Sequence, residues 1–330
     1  MTTTAPRRSR PSTGDHPWQH RGHLAAPVPD AVLVTATVGP GQYPVCLWAS
    51  PSDRDLLEEL PPEAPPPMTA PVRAWLVAYP PGRAREITPV LIPFVWPALA
   101  VLSTGDTAIV GVIDETNGAF DNALVLGRQG TIVARGNLGY VTSIASTSDG
   151  LLWANHATEI AAYARNGDRL TAVRPPMPPA VGDFDSEVMS PACGSLFALG
   201  ALSATGQRCL LISNTTTSQV VAPLRTPLDD GWALAAASDG AGVTVAIALM
   251  TWQGVQVALG RLGNRDVRLH HHIALTDTTE TANSDPLVII GRDSALHLIT
   301  TSGEWASVNI GDLPSPPPAP TPCEEPACQN

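Results

Sequence analysis

His156 and Glu159 are the residues of this chain best spaced for proton transfer. His156 follows Trp153-Ala154-Asn155 at the end of an apolar run, and Glu159 lies just beyond it, so an imidazole and a carboxylate share one short connection. A histidine beside an acid can serve as a general base; a structural hydrogen bond is the competing role. A second set of residues has the oxygen chemistry of calcium, which takes roughly six to eight oxygen ligands. Asp114, Asn117 and Asp121 supply oxygens from one stretch, Asn155 and Glu159 from the next, Asp183 and Asp185 from a third, and Asp229 with Asp230 from a fourth. Solvated loop acids in an acidic protein account for the same residues, and Asn117-Gly118 also reads as a hairpin tip between Asp114 and Asp121.

Other chemistry is excluded by residue type or spacing. All 19 basic residues are arginine, which removes Schiff-base lysines and the phosphate-loop lysine. The chain has no Gly-x-Ser-x-Gly elbow, no His-Glu-x-x-His, no EF-hand loop and no dinucleotide fingerprint between a strand and a helix. Cys193-Gly194-Ser195 aligns with Ser148-Asp149-Gly150 and Ser238-Asp239-Gly240, which makes it a turn. His270, His271 and His272 are consecutive and alternate faces in a strand, so they do not converge on one ion. His16, His20 and His23 have helical spacing, but Pro17 and Gly22 oppose a helix there.

A net charge of -11 is the wrong sign for tracking phosphate backbones, so nucleic acid is not expected as a partner. The best membrane candidate, residues 89–102, is short and carries Pro89, Pro93 and Pro97, and no signal segment follows the arginines at 7, 8 and 10. A cytoplasmic protein is expected. The 5 cysteines are too few for a disulfide framework at this length. Cys46, Cys193 and Cys209 read as reduced thiols in or beside apolar runs; Cys323 and Cys328 read as an inert reduced pair, with a small disulfide loop or half a metal site as alternatives.

The elements that must position these groups are strands. An apolar run, a turn of Gly, Asp or Ser, and a second apolar run recur at 99–111, 144–154, 188–199, 234–246 and 288–299, about every 45 residues. Grouping all such runs in fours predicts an all-β protein, a β-propeller of six four-stranded blades over residues 31–312. Residues 1–30 read as a disordered arm, and 313–330 as a Pro-rich disordered tail suited to polyproline II. The sixth group has only three runs, at 286–291, 295–300 and 305–310, so an N-terminal strand, 32–38 or its neighbour, is expected to complete it and remove the open edges.

Residues 51–71 interrupt the first group. Ser52 and Asp55 are placed as a capping box ahead of Leu56, Leu57 and Leu60, which predicts a short amphipathic helix that packs on the propeller or docks a partner. In a four-stranded meander, the connections after the second and fourth strands share one rim. Here that rim gathers the acids named above, with Trp96 and Trp252 as rings that could anchor a partner.

Ser148-Asp149-Gly150-Leu151-Leu152-Trp153-Ala154-Asn155 followed by Tyr163-Ala164-Arg165-Asn166-Gly167 resembles the blades of the six-bladed propeller superfamily that includes NHL-repeat proteins and calcium-dependent lactonases. The resemblance implies a central channel and a ligand face; of the lactonase metal set, Asn155 and nearby acids have counterparts. The function expected first is a monomeric, non-catalytic propeller that binds a protein partner, without a cofactor. The alternatives are a calcium-dependent hydrolase or lactonase with His156 or Glu159 as base, and a sensor for a small molecule in the channel.

Overall fold

The structure, a computed structural model, describes residues 18–39, 43–58, 71–112, 121–156, 159–173, 184–190, 196–203, 208–213, 218–221, 232–239, 242–251, 254–262, 267–275, 287–290, 295–300 and 303–313. A short strand β1 (His20–His23) comes first. It is followed by the meander β2 (Val32–Val38), β3 (Pro44–Ala49), β4 (Val72–Ala78) and β5 (Glu86–Ile92). The next is β6 (Val95–Val101), β7 (Thr107–Val112), β8 (Ala123–Leu126) and β9 (Ile132–Gly136). Then come β10 (Ser143–Ser146), β11 (Leu152–Asn155), β12 (Ile160–Asn166) and β13 (Arg169–Val173).

The fourth meander is β14 (Phe184–Met189), β15 (Phe197–Ser203), β16 (Arg208–Ser213) and β17 (Ser218–Val221). The fifth is β18 (Trp232–Asp239), β19 (Gly242–Thr251), β20 (Gly254–Leu262) and β21 (Val267–Leu275). The last has β22 (Leu287–Ile290), β23 (Ala295–Ile299) and β24 (Glu304–Asn309), with β1 as its outer strand. The first strands β2, β6, β10, β14, β18 and β22 each touch the next, and β22 returns to β2. The chain is a β-propeller.

The five recurring hairpins are the two inner strands of blades two to six, β6–β7 through β22–β23. The blade-three turn combines backbone and side-chain hydrogen bonds. In blade three, Thr147 N–H donates to Leu151 O at 3.0 Å and Gly150 N–H to Thr147 O at 3.0 Å. Thr147 Oγ1 donates to Asp149 and accepts from Trp153 Nε1 at 3.1 Å. The turn therefore orients Trp153, fully buried, whose ring meets Phe197 at 5.3 Å between blades three and four. Gly150 supplies the left-handed backbone, φ 87°, that an L side chain resists.

Ring closure departs from expectation in one respect. The completing strand is β1, upstream of β2 and within the stretch read as a disordered arm. Its polar sequence His-Arg-Gly-His hid it, because an outer edge strand needs backbone pairing more than an apolar face. His20 pairs with Ser307 and His23 with Glu304, and flanking bonds run from Gln19 N–H to Ser307 O and Leu24 N–H to Gly303 O. Trp18 anchors one end in the core of blades five and six; Leu24 anchors the other among Leu33, Trp48 and Ile299.

The helix α1 (Pro51–Glu58) is capped two positions earlier than expected. Ser50 Oγ accepts from Asp53 N–H at 3.2 Å and donates to the Asp53 carboxylate at 2.7 Å, with Pro51 as the first helical residue. Leu57 is fully buried among Leu47, Ile92 and Phe94 between blades one and two, so it is core and unavailable to a partner, whereas Leu56 is exposed. Leu60 lies outside the described residues, as do Cys193, Cys323 and Cys328.

Cys46 is fully buried in β3, and burial alone pushes its thiol far above the usual 9.0. Burial also raises the phenol of Tyr79, which donates to Ala25 O at 2.8 Å. Both groups hold their protons in the folded chain at a pH where the unfolded chain has begun to lose them. Their contribution is fully present below the unfolded values and is lost as pH rises through the folded ones. Site-resolved alkylation at pH 8 should leave Cys46 unmodified in the folded protein and label it in urea; native-state labelling would contradict its burial. Removing residues 18–24 should abolish the cooperative thermal transition, and Trp18→Ala alone should cost about 3 kcal/mol in urea unfolding. Unchanged midpoints for both would show that the ring closes without β1.

Candidate functional site

Two places on the ring present chemistry, the mouth at the β11–β12 connection and a groove on the flank of blades one and two. At the mouth, His156 N–H donates to Glu159 O at 2.9 Å, which closes the short loop and leaves Glu159 exposed. His156 Nδ1 is 2.8 Å from Tyr140 O; a carbonyl only accepts, so Nδ1 carries the proton. Nε2 is then the acceptor facing the Tyr163 hydroxyl at 3.3 Å. Burial, and secondarily the charge of Glu159, raises the Tyr163 phenol above its usual range and keeps it a donor. Both ring nitrogens of His156 are thus engaged.

Of the residues expected to ligate calcium, Asn155 is fully buried; its Nδ2 lies 3.3 Å from Ser143 Oγ. Asp121 is ion-paired to Arg169 at 2.8 Å, and this bond together with the Asp121 charge raises the Arg169 pKa. Glu304, another rim acid, is buried and bridged by Arg21 Nε at 2.8 Å. Asp185 lies in β14 opposite Leu202. Asp114, Asn117, Asp183, Asp229, Asp230 and Trp252 lie outside the described residues.

Trp96 is 38% exposed, with a left-handed φ of 50° at the bulge between Val95 and Ala98. Its neighbour Pro97 disfavours the right-handed helical region for the preceding residue. The bulge presents the ring to solvent.

Asn122 was not singled out from the sequence, yet it organises this rim. Its Nδ2 donates to Gly111 O at 2.8 Å and Gly139 O at 2.6 Å, and its Oδ1 accepts from Leu138 N–H at 2.7 Å. It ties β7 to the connection that carries Tyr140. Nothing in its local sequence distinguishes it from a loop asparagine, because its partners come from segments up to 17 positions away.

The groove has a volume of about 560 Å³ and lies between β4–β5 of blade one and β7–β9 of blade two. Trp75, Pro89, Leu91 and Ile132 give it apolar walls, and among the described residues Arg73 is the one charged residue lining it. Leu91 is 57% exposed and Ile132 45%, both on strands where the outward position is normally polar. β5 carries Ile87, Leu91 and Ile92 at both parities, so strict apolar-polar alternation fails there. That failure is the sequence signal of the groove.

No family model and no curated protein matches the chain. Among solved structures it is similar to the periplasmic gluconolactonase PpgL of Pseudomonas aeruginosa, at 14% identity over 87% of each chain with a TM-score of 0.47. It is also similar to YCF48 bound to D1 peptide, at 12% identity over 93% of this chain and 100% of that one, TM-score 0.45. A third is an inactive virginiamycin B lyase from Staphylococcus aureus with quinupristin, at 12% identity over 87% of this chain and 98% of that one, TM-score 0.45. Among the described residues, no helix is long and apolar enough to cross a membrane.

The hydrogen bonding makes Asn122→Ala the costlier change at this rim. It orphans two buried backbone groups, Gly111 O and Leu138 N–H, removes a third bond to Gly139 O, and should lower stability by about 3 kcal/mol, whereas His156→Ala, at a half-buried position, should cost about 1 kcal/mol. Urea unfolding of both variants checks the order; a larger loss at His156 would reverse the assignment of which residue holds the rim.

Proposed function

We propose that this protein is a non-catalytic β-propeller that binds a protein partner through the groove between its first two blades. The observation that carries the reading is the exposure of Leu91 and Ile132 on the walls of an apolar groove. A contiguous exposed apolar surface costs solubility and commonly marks an interaction site. At the mouth, by contrast, His156 is engaged through both nitrogens, while Asp121 and Glu304 are paired with arginines.

A rigid ring suits this role. The groove walls come from two adjacent blades whose shared core of Leu47, Ile92, Phe94, Leu124 and Leu126 fixes their spacing, so a ligand meets a preformed surface and little ordering opposes binding.

A photo-crosslinking side chain at position 132, in the cell that naturally makes the protein, should capture a defined protein. The same group at exposed position 166 in blade three should not. Leu91→Glu should reduce the capture at least tenfold while changing stability by less than about 0.5 kcal/mol, as expected for a surface site. Identical capture patterns from positions 132 and 166 would remove the groove from the function.

A further inference from the structure

The groove's chemistry matches a segment of this same chain. We infer that the C-terminal segment, residues 314–330, docks in the groove between blades one and two; this rests on the reading of that groove as a binding surface. Residues 314–330 read PSPPPAPTPCEEPACQN, in which the only charged side chains are Glu324 and Glu325. Among the described residues Arg73 is the only charged side chain lining the groove, and exposed Arg128 stands two positions before the lining residue Gly130. Among the described residues neither arginine is in an ion pair, although the whole chain is strongly acidic. Unpaired cations at an apolar groove complement a proline-dense segment that carries two adjacent acids.

Proline supplies the rest of the fit. Its fixed φ pre-organises a polyproline II segment, so docking costs little backbone entropy, and pyrrolidine rings stack well on indole faces such as Trp75. The outer edge of β5 beside them is unpaired within its sheet, and Pro89 in that strand has no N–H to leave unsatisfied.

The tether has the reach. Leu313, the last described residue, packs against the core of blades five and six, and blade six adjoins blade one through β22 and β2. Residues 314–323 in polyproline II extend about 30 Å at ~3.1 Å per residue. Blade one is about 14 Å broad, from three inter-strand spacings of ~4.8 Å. Glu324 and Glu325 therefore arrive after enough chain to cross blade one. An attached segment acts at an effective concentration of order millimolar, so an intrinsic Kd of about 100 μM would suffice to keep the groove roughly 90% occupied. A partner of higher affinity would then displace the segment, and both would share the acidic, apolar character that the groove selects.

The test uses the purified full chain with a photo-crosslinking residue at position 132. The expected product is an intramolecular crosslink to 314–330, with a yield independent of protein concentration. Glu324→Arg with Glu325→Arg should lower that yield at least fivefold, and adding Arg73→Glu and Arg128→Glu to the same chain should restore it. A yield that rises with concentration would make a second copy the occupant, and a crosslink to 59–70 would make the segment before β4 the occupant. Either result, or no internal crosslink, overturns the inference. Partner capture in cells that persists without the internal crosslink would leave the proposed function standing. An internal crosslink without any cellular partner would remove that function and keep this inference.

Discussion

Pairing of β1 with β24 is the contact on which the ring depends, because every other blade is a local meander whose strands follow one another in sequence. Each such meander can form its own ladder, but none can bury both of its faces without neighbours on either side. The buried clusters sit between blades: Leu47 and Ile92 of blade one face Ile109 and Leu124 of blade two, and Ala235 and Val257 of blade five face Leu296 and Val308 of blade six. A gap at the sixth blade would expose two of these interfaces together. Four backbone pairs, joined to Trp18 and Leu24 as apolar anchors at either end of a polar strand, turn a linear array into a closed set of interfaces.

Closure also decides what the polar residues of the mouth are for. With the ring complete, connections from neighbouring strands converge, and their buried backbone groups need partners. Asn122 answers that need with three hydrogen bonds, Asn155 lies wholly inside, and His156 spends its two nitrogens on Tyr140 O and the Tyr163 phenol. Side chains read from the sequence as candidates for chemistry thus also make hydrogen bonds within the fold. Ion pairs act likewise: Arg169 with Asp121 and Arg21 with Glu304 offset part of the acidity expected of this rim.

The architecture was legible because it rests on local signals. Period-two runs and Gly-Asp-Ser turns lie within a dozen residues of each other, and the inner hairpins fell where they were expected, β10–β11 and β18–β19 among them. β1 was illegible because its stabilisation comes from residues nearly three hundred positions away, as Gln19 N–H donating to Ser307 O shows, and its own side chains carry no apolar period. Which leucine of α1 packs on the propeller was illegible for a related reason. A short helix has two apolar faces available, and only the position of the first two blades determines which leucine is buried. The groove escaped notice because exposed Leu91 and buried Ile92 look equally apolar on paper.

The groove itself follows from how neighbouring blades meet at their outer edges. Between blades two and three the outer strands join, with Arg169 opposite Arg135 in a parallel bridge and Arg135 N–H donating to Asp168 O at 2.9 Å. Between blades one and two no such bridge forms among the described residues; the turn Arg128–Gly130 leans on β5 instead. Gly130 takes a φ of 74°, and a Cβ there would lie 2.3 Å from Thr88 Cγ2, so the turn approaches β5 as closely as a chain without a side chain allows. Held at that one point, the two outer strands can splay elsewhere, and apolar side chains that a bridge would have covered remain open. A single close contact at Gly130 thus leaves the seam between blades one and two open as an apolar groove.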